Sequence, residues 1–395
     1  AGKTYILFFI IQNLLHKNMD KKATIYINFE NRKLHPLKGD YFNQIIEVIY
    51  AEKLLEKFKR IYLFFDEVQN VPQWQKYLRS IFDEFKSKIK IFISGSNAKL
   101  LGKEYANLLT GRHLSINVFP LSFREFLVFN NFVVESLDSL VEKEKSLIKK
   151  LLEDFIRFGG FPEVVLNSSK EEILSQYFSD IISRDVLFKQ NLRKGLYSIE
   201  ELGFYLLDNI ANLTSFRRLT NLFLSRGTKI SLPTLENYFW LFVDAFLFFP
   251  VRIFSYNIKE QLQHPFKIYT IDTGLINILS HKLSWDADKL YENIVAVELR
   301  RRKKDIYYWK DYQYRAVDFV VRENINIKQL IQVCIDLEEE RNQDRELESL
   351  IKASNELKCN NLVIINKDYD KKEKLKNDRV INYIPLWKWL LEDLR

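Results

Sequence analysis

Ala1-Gly2-Lys3-Thr4 opens the chain, and Ile61-Tyr62-Leu63-Phe64-Phe65-Asp66-Glu67 follows about sixty residues later. Glycine-lysine-threonine ahead of a helical stretch is the end of a phosphate-binding loop. A wholly apolar run delivering two acids is a buried parallel strand with carboxylates at its C-terminal end. Another apolar strand, Ile89–Ser94, leads into Gly95-Ser96-Asn97. In this order the three segments point to a nucleoside triphosphate held with magnesium. The full loop pattern has a further glycine five positions before Gly2. The chain is thus expected to open inside its own motif, with the strand before the loop missing. A gap or a borrowed strand in the sheet, and reduced stability, are the expected consequences.

Working outward, helical spacing covers residues 5–19, 40–58 and 73–86, and strand-like runs cover Ala23–Glu30, 61–66, Ile89–Ser94 and His113–Phe119. Strands apolar on both faces and alternating with helices predict an α/β fold with a helix-covered parallel sheet. Residues 122–225 read as mainly helical, over Ser122–Asn130, 138–158, 170–187, 198–212 and 214–225, with a break at Gly159-Gly160-Phe161-Pro162. A further helix at 231–246 precedes strands at 251–256 and 266–271. Short helices followed by a strand pair match a winged-helix module. From about residue 287 the pattern is helix 287–303, strands 305–310, 314–321 and 328–335, helix 340–357, strand 361–366, a charged loop from Asp370 to Asp378 and a last helix 385–394. Three domains are expected, 1–130, 131–284 and 285–395.

A chain of 395 residues exceeds one ordinary core, and 47% hydrophobic content suffices to bury several. The formal charge of +8 is compatible with a nucleic-acid partner. Its densest patch is Arg300-Arg301-Arg302-Lys303-Lys304, which reads either as a solvated helix end or as a DNA or RNA contact. Two cysteines, Cys334 and Cys359, provide neither a disulfide framework nor a zinc spacing. No apolar run reaches the roughly 18 residues that a membrane span needs. A cytoplasmic protein with no membrane partner is the expectation.

Each candidate residue has a mechanical reading. Backbone N–H groups at a helix start point at phosphate oxygens, so Gly2, Lys3 and Thr4 form the cofactor-binding turn. Lys3 reaches the β- and γ-phosphates, and the Thr4 hydroxyl ligates magnesium together with Asp66. Glu67 is the general base that polarises the attacking water. Asn97, with Ser96 close behind, orients that water; asparagine there also suits the cap of a helix beginning at Ala98. Arg112, in Thr110-Gly111-Arg112, offers a planar fork for developing phosphate charge, within the site or as a finger toward a neighbouring subunit of a homo-oligomer; it reads equally as a surface arginine.

Several segments carry a resemblance: AGKT (1–4), FFDEVQNVPQW (64–74), ISGSNAKLL (93–101), LLTGRHLSINVFPLSFREFL (108–127), RFGGFPEVV (157–165), ISLPTLENYFWLFVDAFLFFPV (230–251) and KIYTIDTGL (267–275). Together they resemble the AAA+-type ATPases of archaea and bacteria with a C-terminal DUF4143 domain. The resemblance implies a P-loop ATPase domain, a winged-helix segment and a restriction-endonuclease-like C-terminal fold. It places Lys3, Thr4, Asp66 and Glu67 at the Walker positions and Ser94–Asn97 in the sensor 1 region. ATP, rather than GTP, follows from the resemblance alone. Nucleases of that C-terminal class use a helix glutamate, a strand aspartate and an acid-x-lysine strand. Glu298 and Asp318 fit the first two, but Gln332 and Cys334 stand where the acid and lysine belong. The expected function is magnesium-dependent ATP hydrolysis with DNA association as a second property. The alternatives are a nucleic-acid-binding winged-helix protein with regulatory nucleotide, and, less favoured, a metal-dependent nuclease.

Overall fold

The central strand of the N-terminal sheet is the apolar run that ends in Asp66. The computed structural model describes residues 2–95, 113–183, 196–280, 286–337, 340–375 and 379–392. Its contacts divide the chain into two units, Ala1–Val118 and Phe119–Arg395.

In the first unit, helix α1 (Lys3–His16) is followed by strand β1 (Thr24–Asn28), helices α2 (Tyr41–Ala51) and α3 (Leu54–Lys57), strand β2 (Ile61–Asp66), helix α4 (Trp74–Phe85) and strand β3 (Ile89–Ile93). The three strands are parallel in the order β1-β2-β3, with Asn28 beside Asp66 and Phe65 beside Ile93. Ile61, Leu63, Phe64 and Phe65 are fully buried, which is why β2 is apolar on both faces. Phe29, Phe42, Trp74 and Leu78 bring the connecting segments onto the same core. The helix expected over 40–58 is two helices: Lys53 adopts a left-handed φ of 54° and breaks it. Residues 113–119 pair with no strand among the described residues. Leu114 and Ile116 lie exposed, and β propensity without a ladder partner makes no strand.

The second unit begins with helices α5 (Phe123–Phe129), α6 (Glu142–Phe158), α7 (Pro162–Leu166), α8 (Lys170–Asp180) and α9 (Leu196–Asp208). Then come β4 (Leu213–Thr214), α10 (Phe216–Ser225), α11 (Leu232–Asp244), β5 (Phe248–Val251), α12 (Ile258–Gln263), β6 (Phe266–Thr270) and α13 (Thr273–Leu279). Strands β4, β6 and β5 form an antiparallel sheet in that order. The last part holds α14 (Ala287–Arg301), β7 (Asp305–Lys310), β8 (Ala316–Glu323), β9 (Asn326–Val333), α15 (Glu340–Leu357), β10 (Asn361–Asn366), β11 (Lys371–Lys374), β12 (Val380–Pro385) and α16 (Leu386–Leu391). Its six-stranded sheet runs β11-β12-β10-β9-β8-β7, antiparallel from β7 to β9 and parallel from β9 through β10 to β12. The stretch read as a charged loop contains β11, whose sequence Lys-Lys-Glu-Lys is that of a protected sheet edge. No described helix is long and apolar enough to cross a membrane.

The Gly159-Gly160 break has a cause far away in sequence. Asp272 caps α13 by accepting from the Gly274 N–H at 2.9 Å, and it also accepts from the Gly160 N–H at 2.7 Å. Gly159 has a φ of 74°, and a Cβ there would lie 1.6 Å from the Asp272 carboxylate. The carboxylate therefore ties the end of α6 to the start of α13, and only glycine lets it approach. Asp272→Ala leaves two buried donors unsatisfied. The expected loss of stability is about 2–4 kcal/mol, measured by urea unfolding against the parent protein.

Candidate active site

Gly2 has a φ of 79°, a conformation that favours glycine, and it turns the chain into α1. The first-turn N–H groups of α1 have no intrahelical acceptor, and Lys3 and Thr4 occupy that turn. β2 delivers Asp66 to the same place. The Thr4 hydroxyl donates to Asp66 Oδ2 at 2.8 Å, joining residues 62 positions apart. The two side chains that the sequence analysis assigns to magnesium lie together.

Two more hydroxyls converge on Asp66, which is 1% exposed. The Tyr26 hydroxyl donates to Oδ2 at 2.9 Å, and the Ser94 hydroxyl donates to Oδ1. Burial and then the Asp66 carboxylate hold the Tyr26 phenol pKa well above its usual value. The Tyr26 ring packs 5.0 Å from Phe8 of α1. Sequence reading missed Tyr26, because only the register of β1 on β2 puts it on the face of Asp66. It found Ser94 only as part of a segment.

Glu67 leaves the strand with a φ of 51°. A left-handed glutamate is a strained conformation held by its surroundings. Its N–H donates to the Ser94 hydroxyl at 3.2 Å, the Val68 N–H donates to the Ser94 carbonyl at 3.1 Å, and the Gln69 amide donates to its carboxylate. The two adjacent acids are thereby split: Asp66 continues the strand into the hydroxyl cluster, and Glu67 turns away. Ser96, Asn97 and Arg112 lie outside the described residues.

Thr4 Oγ1 and Asp66 Oδ2 are hard oxygen donors within one hydrogen bond of each other. Magnesium takes one or two protein oxygens and completes its shell with phosphate and water. The pair fits that requirement. Among the described residues no group of three or more histidine, cysteine, aspartate or glutamate side chains is placed to hold a metal ion by itself.

The second unit holds a separate buried ionic cluster. Lys267 of β6 donates to Glu292 at 2.6 Å and to Asp318 at 2.8 Å. Tyr269 also donates to Glu292, and the Val333 N–H donates to Asp318 at 3.0 Å. Gln332 accepts from the Asp318 N–H at 3.2 Å and donates to Glu346 at 2.6 Å. The α14 acid that faces Asp318 is therefore Glu292, not Glu298. Glu298 instead binds Arg302 at 2.7 Å and Arg301 at 3.0 Å. Burial opposes the charge on Lys267, but the two carboxylates outweigh it and hold its pKa above the usual lysine range. Burial, then Asp318, raises the Glu292 pKa, and the same causes push Glu346 up to about 7. Burial pushes the Cys334 thiol up to about 12.

The basic run is not a solvated patch. Arg302 also reaches the carbonyls of Trp389 at 3.1 Å and Glu392 at 3.2 Å and covers the Trp389 ring at 4.5 Å. Arg300 covers the Phe249 ring at 4.6 Å, and Arg301 lies 5.1 Å from the Phe119 ring. Lys304 pairs with Glu323 at 3.9 Å. Of the five, Arg300, Arg301, Arg302 and Lys304 are half-buried and Lys303 is exposed. Their charge serves the fold because α14 ends against α16 and β5.

The class follows from matches along the chain. Residues 1–127 match the AAA domain family, residues 149–288 a domain of unknown function (DUF8612) and residues 287–389 a domain of unknown function (DUF4143). The chain thus joins an AAA domain, a nucleotide-binding ATPase class, to a C-terminal DUF4143 domain. It is 39% identical over 99% of its length to the uncharacterized protein MJ1544 of Methanocaldococcus jannaschii, covering 86% of that protein. An uncharacterized protein of Haemophilus influenzae is 30% identical over 86% of the chain and 81% of its own length. The chain belongs to the family of these proteins. A Walker-type ATPase of Pyrococcus abyssi aligns over 65% of this chain and 83% of its own, at 14% identity and a TM-score of 0.37, too low to establish a shared fold.

Removing the cation of the buried cluster leaves two carboxylates facing each other. Lys267→Met is expected to cost about 3–5 kcal/mol, read as a lower unfolding midpoint in urea. The cluster also sets a pH dependence. Glu292 and Glu346 keep protons in the folded state that the unfolded chain releases. Their contribution is full below the ordinary glutamate value of 4.5 and declines as pH rises through about 7. Chemical denaturation at about pH 5 and about pH 8 checks this, and Glu292→Gln is expected to flatten the difference.

Proposed function

We propose that the chain binds ATP with magnesium at the N-terminus of α1 and hydrolyses it. The observation that carries the reading is the 2.8 Å contact between the Thr4 hydroxyl and the Asp66 carboxylate beside a first helical turn that contains Lys3. The turn's N–H groups and Lys3 hold the phosphates. Thr4 and Asp66 would hold the magnesium, which would supply neutralisation of the phosphate charge. Tyr26 and Ser94 fix the Asp66 carboxylate. Glu67, turned out of the strand by its left-handed backbone, accepts the proton of the attacking water. We assign Asn97 to orienting that water and Arg112 to the developing phosphate charge, in the same subunit or a neighbouring one.

The finer domain reading belongs to the same proposal. Residues 1–130 are the ATPase part, 131–284 the helical and winged-helix part, and 285–395 the DUF4143-like part. The order α9-β4-α10-α11-β5-α12-β6, with its antiparallel sheet β4-β6-β5, supports a winged helix. A helix, three antiparallel strands, a second helix and a parallel strand support a nuclease-like fold for 285–395. Lys267 between Glu292 and Asp318, with Gln332 and Cys334 in place of the acid and lysine, favours a fold retired from cleavage.

Glu67→Gln in the intact protein is expected to retain ATP binding and to lower turnover at least about 100-fold, as measured by phosphate release. Unchanged turnover refutes the role of Glu67. Lys3→Ala is expected to abolish the ATP-dependent rise in melting temperature seen with magnesium. An undiminished rise refutes the phosphate turn.

A further inference from the structure

With the arginine run of α14 turned into the fold, the charge that remains available to a polyanion lies elsewhere. Residues 209–235 hold Arg217, Arg218, Arg226 and Lys229 and no aspartate or glutamate. All four are exposed. They sit on α10 and on the turn that joins it to α11. On α10, Arg217, Arg218, Asn221, Leu224 and Ser225 are exposed, a spacing that puts them on one face, while Leu219 and Phe223 are buried opposite. On α11, Pro233, Thr234, Asn237 and Trp240 are exposed, while Leu235, Phe239 and Phe242 are buried. Ser215 and Ser231 cap the two helices by accepting from the Arg218 and Thr234 N–H groups. Arg218 also donates to the Leu213 carbonyl at 3.3 Å, and Arg226 pairs with Glu201 at 2.9 Å. Glu236, half-buried on α11 between Thr234 and Asn237, is a second acid on these elements.

We propose that this face binds duplex DNA, with α11 in the major groove and the basic residues of α10 and the connecting turn on the phosphates. In helix-turn-helix docking the second helix enters the groove and the first crosses the backbone. Thr234 and Asn237 near the start of α11 are residue types that hydrogen-bond base edges. Arg217 and Arg218 on the preceding helix, and Lys229 in the turn, are placed as the phosphate contacts of that arrangement. The α12 segment between β5 and β6, with Lys259 and the 79% exposed Tyr256, occupies the position of the wing. This surface rests on the winged-helix part of the reading above and is independent of ATP hydrolysis.

The test is fluorescence anisotropy of the full chain with a labelled mixed-sequence duplex about three helical turns long, at about 50 mM salt and upward. Wild-type protein is expected to bind, with affinity falling steeply as salt rises. The double variant Arg217→Glu, Arg218→Glu is expected to weaken binding about tenfold or more and to lower the slope of log affinity against log salt by about 2. Lys229→Glu, which touches no helix core, is expected to weaken binding in the same direction and gives a reading should the double variant fail to fold. Lys303→Ala is expected to bind as wild type does. The magnesium-ATP melting shift, run on the same samples, reports the nucleotide site separately. No binding of duplex by the wild type at low salt overturns the proposal. So does undiminished binding by the charge-reversed variants. Stronger competition from RNA or a single strand than from the duplex overturns the choice of duplex DNA.

Discussion

The Thr4 hydroxyl meets the Asp66 carboxylate because a left-handed glycine starts a helix beside the end of a central, largely buried strand. Everything else at the candidate site depends on that meeting. Helix starts leave N–H groups without acceptors, and strand ends place side chains beyond the sheet. Put side by side, they form a cationic turn facing an anionic strand end. Three hydroxyls then hold one carboxylate, and the adjacent glutamate is bent away by a φ of 51°. Such strain persists where neighbours over-determine the backbone, here through both the hydroxyl and the carbonyl of Ser94.

The second unit solves a different electrostatic problem. Two acids from α14 and β8 face each other in an apolar interior, and a lysine from β6 bridges them. A buried cation between two acids is costly to remove, since its loss leaves uncompensated charge in low dielectric. The arrangement ties a strand of the small antiparallel sheet to the large mixed sheet and the helix before it. Asp272 does the same for α6 and α13 with a carboxylate and two backbone donors.

Charge counted along a sequence and charge offered to a partner are different quantities. The Arg300–Lys304 run is the densest in the chain, yet its arginines stack on Phe249, Phe119 and Trp389 and pair with Glu298. Arginine stems and planar heads pack well on aromatic faces, so a helix end inside a fold absorbs them. The sparser set on α10 and its turn remains exposed because the opposite face carries the core residues.

Local pattern alone was enough for the alternation of helices and strands, the apolar β2, the carboxylates at its end and the nearness of Thr4 to Asp66. These follow from periodicity and from the short Gly-Lys-Thr and Asp-Glu segments, each legible within a few residues. Tertiary structure decided the rest. Tyr26 joins Asp66 only through the register of β1 on β2, and Lys267 finds Glu292 and Asp318 only when two sheets and a helix converge. Glu292 and Glu298 lie six positions apart on α14, and the rotation of that helix chose which one meets Asp318. Residues 113–119 had strand composition but pair with no strand among the described residues. Contacts between distant segments depend on register, rotation and packing, and none of these is written in the spacing of apolar residues.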